Sequence, residues 1–208
     1  MDIVFVMDIL DTVTDRDLLQ TIALLTNFTS TLDVDTDRVR IGLLSYNTFL
    51  FHLNSYTSKN DVIAAITKTK RPSPDLDFAE TLRFLRTVMF SSINGDRKNV
   101  RNVAVVVSNG MQNLRRSEVR SEIEMAKRAG IQVVSVGINV LDTENFGQLT
   151  ANTNNRILVS NFNQLPSQIE KLRTRVCSGM IYVHFCVACI HHLPENKICL
   201  LEFIMTYQ

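Results

Sequence analysis

Residues 1–13, MDIVFVMDILDTV, decide the fold. Ile3, Val4, Phe5, Val6 and Met7 form an unbroken apolar run rich in β-branched and aromatic side chains, the composition of a strand covered on both faces. Strands of that kind belong to parallel sheets sandwiched between helices. Asp8 is the first charge after the run, at the carboxyl end of the strand, where open α/β sheets carry their binding sites. A second run, 103–107, ends similarly in Ser108-Asn109-Gly110.

Outward from these strands the chain alternates between the two periods. Asp15 and Asp17 suit the start of a helix, and Leu18, Ile22, Leu25, Phe28 and Leu32 follow on one face of it. Residues 39–45 and 49–53 read as strands, joined by a link so short that only an antiparallel hairpin is possible. Further helices are expected over 58–68, with Val62, Ile63 and Ile66 inward, and around Phe78, Leu82, Leu85 and Met89. Asn94-Gly95-Asp96 is a turn, and Ser117 opens a helix that carries Val119, Ile123 and Ala126 inward and closes at Gly130. A strand over 131–138, a short helix capped by Asp142 and a strand over 156–159 come next. Pro166 then marks a helix start, with Leu165, Ile169, Leu172 and Val176 on one face. The predicted fold is doubly wound α/β: a mostly parallel six-stranded sheet with one antiparallel edge strand and helices on both faces.

Composition narrows the function. Hydrophobic residues make up 45% of 208 and charged residues 21%, ordinary for a globular domain with some length to spare. A net charge of +1 supplies no footprint for nucleic acid or an anionic membrane. Neither GxGxxG nor GxxxxGK[ST] occurs, so no phosphate cradle is encoded. Of the four histidines, His52, His184, His191 and His192, three fall in the last 25 positions, and no Ser-His-Asp or GxSxG arrangement is visible. The start has no basic region and its apolar run is short for a signal peptide, which implies either a piece of a longer secreted chain or a product outside the secretory route.

The two strand ends carry a family resemblance. DIVFVMDILDTV resembles the opening strand of a von Willebrand factor type A domain, which runs into Asp-x-Ser-x-Ser, and VAVVVSNG is similar to that family's central strand ending in Thr-Asp-Gly. The resemblance continues through VRIGLLSYNTFLFHLNSYTSKNDVIAAI at 39–66, TLRFL at 81–85 and GIQVVSVGI at 130–138. It covers roughly residues 1–179, and the amino-terminal domains of collagen VI α chains are the most similar subgroup. The resemblance implies a module of extracellular matrix that binds matrix or cell-surface proteins, with no catalysis, no nucleic acid and no membrane span.

In that family a divalent cation sits over the strand ends and completes its shell with an acidic residue of the partner. Carried over, Asp8 matches the first ligand, Leu10 stands at the middle serine, Thr12 at the last serine, Leu76 at the threonine, with Phe78 just after it, and Asn109 at the final aspartate. Mg²⁺ wants hard oxygens and negative charge, and two of these positions are alkyl while a third has lost its charge. The expectation is a vestigial site without bound metal, Asp8 accepting hydrogen bonds from loop N–H groups and Leu10, Leu76 and Phe78 packing over it. Mg²⁺ or Mn²⁺ held with help from Asp11 is the alternative. Two other readings compete: a truncated or decayed gene product without function, and a metal-dependent enzyme on a Rossmann-like fold using Asp8 and Asp11.

Three features stand apart from the site. Asn27-Phe28-Thr29 is a glycosylation sequon, and Asn27 falls opposite Leu18 and Ile22 on the helix, facing solvent; it is read as an N-glycan site or an unused match. Arg115, Arg116, Arg120, Lys127 and Arg128 offer a basic patch for acidic ligands, but Glu118, Glu122 and Glu124 are interleaved, and a solvated helix face is expected. Residues 180–208 do not continue the strand–helix alternation and are expected to be a non-homologous, poorly ordered apolar tail. Its 180–190 run is shorter than the roughly 20 residues a spanning helix needs. All four cysteines, Cys177, Cys186, Cys189 and Cys199, lie at this end, and Cys186-x-x-Cys189 with His191 and His192 is a weak zinc pattern.

Overall fold

The computed structural model describes residues 1–9, 13–45, 48–70, 77–109, 117–150 and 152–178. The 180–208 tail, with Cys186, Cys189, Cys199, His184, His191 and His192 in it, lies outside the described residues.

β1 (Asp2–Asp8) is buried along its whole length and occupies the centre of the sheet. With β2 (Arg40–Ser45), β3 (Thr48–Phe51), β4 (Asn102–Ser108), β5 (Gln132–Ile138) and β6 (Arg156–Val159) it forms the order β3-β2-β1-β4-β5-β6. Every pairing is parallel except that of β3 with β2, as the short hairpin demands. The two-residue period of β1 feeds two cores. Ile3, Phe5 and Met7 meet α1 (Asp15–Ser30), α2 (Lys59–Thr67) and α6 (Ile169–Cys177), while Val4 and Val6 meet α3 (Phe78–Phe84), α4 (Ser117–Arg128) and α5 (Thr143–Gly147).

Most helix ends follow local chemistry. Thr14 caps α1: its hydroxyl oxygen accepts from the Asp17 N–H at 3.2 Å while Asp17 accepts from the Thr14 N–H at 3.1 Å. Asp17 thus works as half of a capping box with Thr14. α4 ends at Gly130, φ 76°, with Ile131 N–H donating to Ala126 and Gly130 N–H to Lys127, the pattern of a left-handed glycine stop.

Three details depart from the sequence reading. After α3 the helix loosens into a π turn, Leu85–Met89, with Phe90 N–H bonding back to Leu85 at 3.0 Å. Met89 is there buried, its methyl over Gly42, where a Cβ would come within 3.0 Å of it. Pro166 lies inside a 3₁₀ stretch, Phe162–Gln168, and α6 starts only at Ile169, because proline lacks an N–H and disfavours helical geometry in the residue before it. Glu122 does not join a solvated face. It sits between Val119 and Ala126 on the inward stripe of α4, is 3% exposed, and accepts from Arg83 Nε and Arg86 Nη2, each at 3.0 Å. Arg120 and Arg128 are exposed, Lys127 pairs with Glu124 at 2.7 Å, and Arg115 and Arg116 lie outside the described residues.

The amino end of the sheet is closed by an ionic clamp. Asp2, fully buried, accepts from the Arg97 backbone N–H at 2.9 Å and from its guanidinium at 2.9 and 2.6 Å. The same guanidinium donates to the carbonyls of Met1, Arg38 and Asp37. Gly95, two residues earlier, has φ 97°, and a Cβ there would lie 2.7 Å from the Asn54 nitrogen. Glycine is required at that turn.

Candidate functional site

β1 and β4 are parallel neighbours in direct register, Met7 beside Val107 and Asp8 beside Ser108, so both strands end at the same height. That register builds the centre of the site. Asp8 is 3% exposed and Ser108 is fully buried, and the Ser108 hydroxyl donates to Asp8 Oδ2. Asn109 continues from β4, partly exposed, its N–H donating to the Asp8 carbonyl at 3.3 Å. Of the sequence-assigned positions the structure therefore brings Asp8 and Asn109 together. Leu10, Thr12 and Leu76, with Asp11, lie outside the described residues. Phe78 is buried in the first turn of α3, within the core layer of Val4 and Val6.

Ser108 is the residue the sequence reading did not assign. The Ser108 hydroxyl, from the neighbouring strand, is one donor to the Asp8 carboxylate; the loops expected to supply N–H donors to it fall largely outside the described residues. The signal was present: Ser108 follows the β4 run as Asp8 follows the β1 run, and register pairs what occupies matching positions.

The described donor set is one carboxylate, one hydroxyl and one amide. One of the carboxylate oxygens is engaged by the hydroxyl. Among the described residues no cluster of three His, Cys, Asp or Glu side chains exists. Between them these described residues bring a single negative charge, which offsets little of the dehydration a bound Mg²⁺ requires. His52, the one described histidine, follows the antiparallel β3, which carries it away from the Asp8 end; burial pushes its imidazole below the ordinary range. Hollows of about 210 Å³ at Gly130–Val133 and about 120 Å³ at Val39 and Arg40 lie by the amino ends of β5 and β2, at the opposite end of the sheet.

The Asp8–Ser108 pair should matter for stability. Ser108→Ala removes a donor from a buried carboxylate and is expected to cost about 1–3 kcal/mol, a fall of roughly 2–12 °C in melting temperature. Thermal unfolding followed by circular dichroism measures it. An unchanged midpoint would show that the hydroxyl contributes nothing to holding Asp8.

The sequence profile of the von Willebrand factor type A domain matches residues 2–171. The chain is 25% identical over 183 residues to the human collagen alpha-5(VI) chain, covering 86% of itself and 7% of that protein. Against mouse matrilin-2 it is 24% identical over 213 residues, 95% of this chain and 22% of that one. Among solved structures, proximal thread matrix protein 1 of the mussel byssus, with a zinc-occupied metal-ion motif, superposes with TM-score 0.77 at 14% identity, covering 85% of this chain and 48% of that chain. The chain thus spans less than a tenth of the collagen relative's length.

Proposed function

The chain belongs to the von Willebrand factor type A family, and from that premise we propose that it is a non-catalytic interaction module of extracellular matrix, binding matrix or cell-surface proteins without a bound metal. Support for the matrix setting comes from the kinds of protein that share the domain, collagen VI chains and matrilins. The observation that carries the metal-free reading is the Asp8 carboxylate turned to the Ser108 hydroxyl, with uncharged Asn109 beside it. A partner then reads the surface of the domain in place of a shared cation. No helix among the described residues is long and apolar enough to cross a membrane.

The test compares melting of the full chain in EDTA, in millimolar Mg²⁺ and in millimolar Mn²⁺, beside Asp8→Asn. The expected result is one cooperative transition whose midpoint moves by less than about 1 °C among the three conditions. Ligand at a hundred times its dissociation constant adds about 2.7 kcal/mol, a rise of roughly 5–10 °C. A rise of that size, lost in Asp8→Asn, would overturn the metal-free reading and make cation-bridged adhesion the mechanism. The absence of any cooperative transition would favour the decayed gene product. Binding of the chain to decellularised matrix, undiminished in EDTA, is the corresponding functional result.

A further inference from the structure

The sequon Asn27-Phe28-Thr29 lies in the last turns of α1, and the fold splits it. Asn27 is exposed, whereas Phe28 and Thr29 are both 0% exposed. Helical geometry makes this unavoidable, since residues two apart are turned by about 200° and their side chains leave on opposite sides. The Asn27 amide faces solvent; the Thr29 hydroxyl faces the core. Phe28 between them is packed edge-to-face on Phe5, ring centroids 6.1 Å apart. An enzyme that recognises an Asn-x-Thr acceptor must reach the amide and the hydroxyl together. It cannot do so on this helix.

A second observation concerns Thr29 alone. Thr21 and Thr26, in the same helix, donate to the carbonyls of Asp17 and Ile22 at 3.2 and 3.0 Å. The Thr29 hydroxyl is buried without a hydrogen-bond partner. An unpartnered buried hydroxyl opposes folding, and valine, of the same shape, would avoid the cost. In the folded domain that hydroxyl stabilises nothing.

We infer that Asn27 is an N-glycan acceptor modified only before α1 docks, with the Thr29 hydroxyl serving recognition of the unfolded segment and not the fold. Asn27 Nδ2 attacks the anomeric carbon of a lipid-pyrophosphate-linked oligosaccharide. The C–N bond forms as the C–O bond to pyrophosphate breaks; the lipid pyrophosphate leaves with the electron pair, and the amide gives up one proton. Time for this is available during synthesis. Leu165, Leu172 and Val176, which complete the core layer over α1, are made more than a hundred residues after Asn27. At ordinary translation rates that delay is on the order of 10 s. Once the layer closes, Asn27 still projects into solvent, with room for a glycan already attached.

The inference rests on the extracellular reading, because the transfer occurs in the secretory compartment. The experiment therefore supplies entry itself: the full chain with an appended cleavable signal sequence is translated in the presence of endoplasmic-reticulum microsomes. One endoglycosidase-sensitive mass increment is expected in the parent and in Thr29→Ser, and none in Asn27→Gln or Thr29→Val. Folded full chain, added afterwards to solubilised microsomes with lipid-linked oligosaccharide, should accept no sugar. The same chain carrying Leu25→Asp, which cannot dock α1, should accept it. Thr29→Val should also raise the melting temperature of the unglycosylated chain by roughly 2–4 °C. No increment during translation, with a control glycoprotein modified in the same reaction, would overturn the site. Equal modification of folded chain and Leu25→Asp would overturn the order of events, and a lower midpoint for Thr29→Val would overturn the role given to its hydroxyl. Because the signal is appended, none of these results depends on where the natural chain resides.

Discussion

Arg97→Ala is expected to lower the melting temperature by roughly 6–20 °C, the equivalent of about 3–5 kcal/mol, because it leaves a buried carboxylate without its counter-charge. Asp2 is the first residue of the central strand and is fully buried. Its guanidinium partner makes two contacts with Asp2 Oδ1, at 2.9 and 2.6 Å, and binds three backbone carbonyls, that of Met1 just before β1 and those of Asp37 and Arg38 just before β2. One side chain thus holds the start of β1, the turn before β2 and the turn before β4 together. Arg97→Lys keeps the charge but not the planar fork, and should lose an intermediate amount. Denaturant and thermal unfolding of the three chains measure the series. A midpoint for Arg97→Ala within about 2 °C of the parent would show that the clamp is an ornament of the surface, and the account of the amino end of the sheet would fail.

Phe5→Ala should be comparably severe, at about 3–5 kcal/mol, the cost of deleting an aromatic ring from a core that relaxes only partly around the cavity. Phe5 lies mid-way along β1, with a strand on either side and no exposure. Its ring meets that of Phe28 at 63°, which couples the sheet to α1. Phe5→Leu keeps most of the volume and should cost less than half as much. Two outcomes are separable by calorimetry: a lower but still sharp transition means a cavity in an intact fold, whereas loss of the transition means that α1 no longer docks. A Phe5→Ala midpoint equal to that of Phe5→Leu would contradict the packing described here.

Much of this was legible because local patterns report local physics. An unbroken β-branched run marks a strand buried on both faces, and β1 and β4 are such strands. A link too short for a crossover forces antiparallel pairing, and β3 runs antiparallel at the edge. Helical spacing put Leu18, Ile22, Leu25 and Phe28 inward and Asn27 outward, as found. Charge was legible only where it met no distant partner. Glu122 looked like one more acidic residue on a solvated face; its position relative to Val119 and Ala126 marked it as inward, but that it meets Arg83 and Arg86 depends on how α4 lies against α3.

By itself, then, the sequence determined the order of the strands and main helices, the apolar residues that most helices turn inward and the end of the sheet at which Asp8 emerges, because periodicity, turn length and helix-stop chemistry act over a few residues. Only the tertiary structure decided that Asp8 meets Ser108 across 100 positions and Asp2 meets Arg97 across 95. Those pairings depend on strand register and on the docking of segments far apart in the chain, and a hydrogen bond, which acts over about 3 Å, leaves no periodic trace in the sequence between its partners.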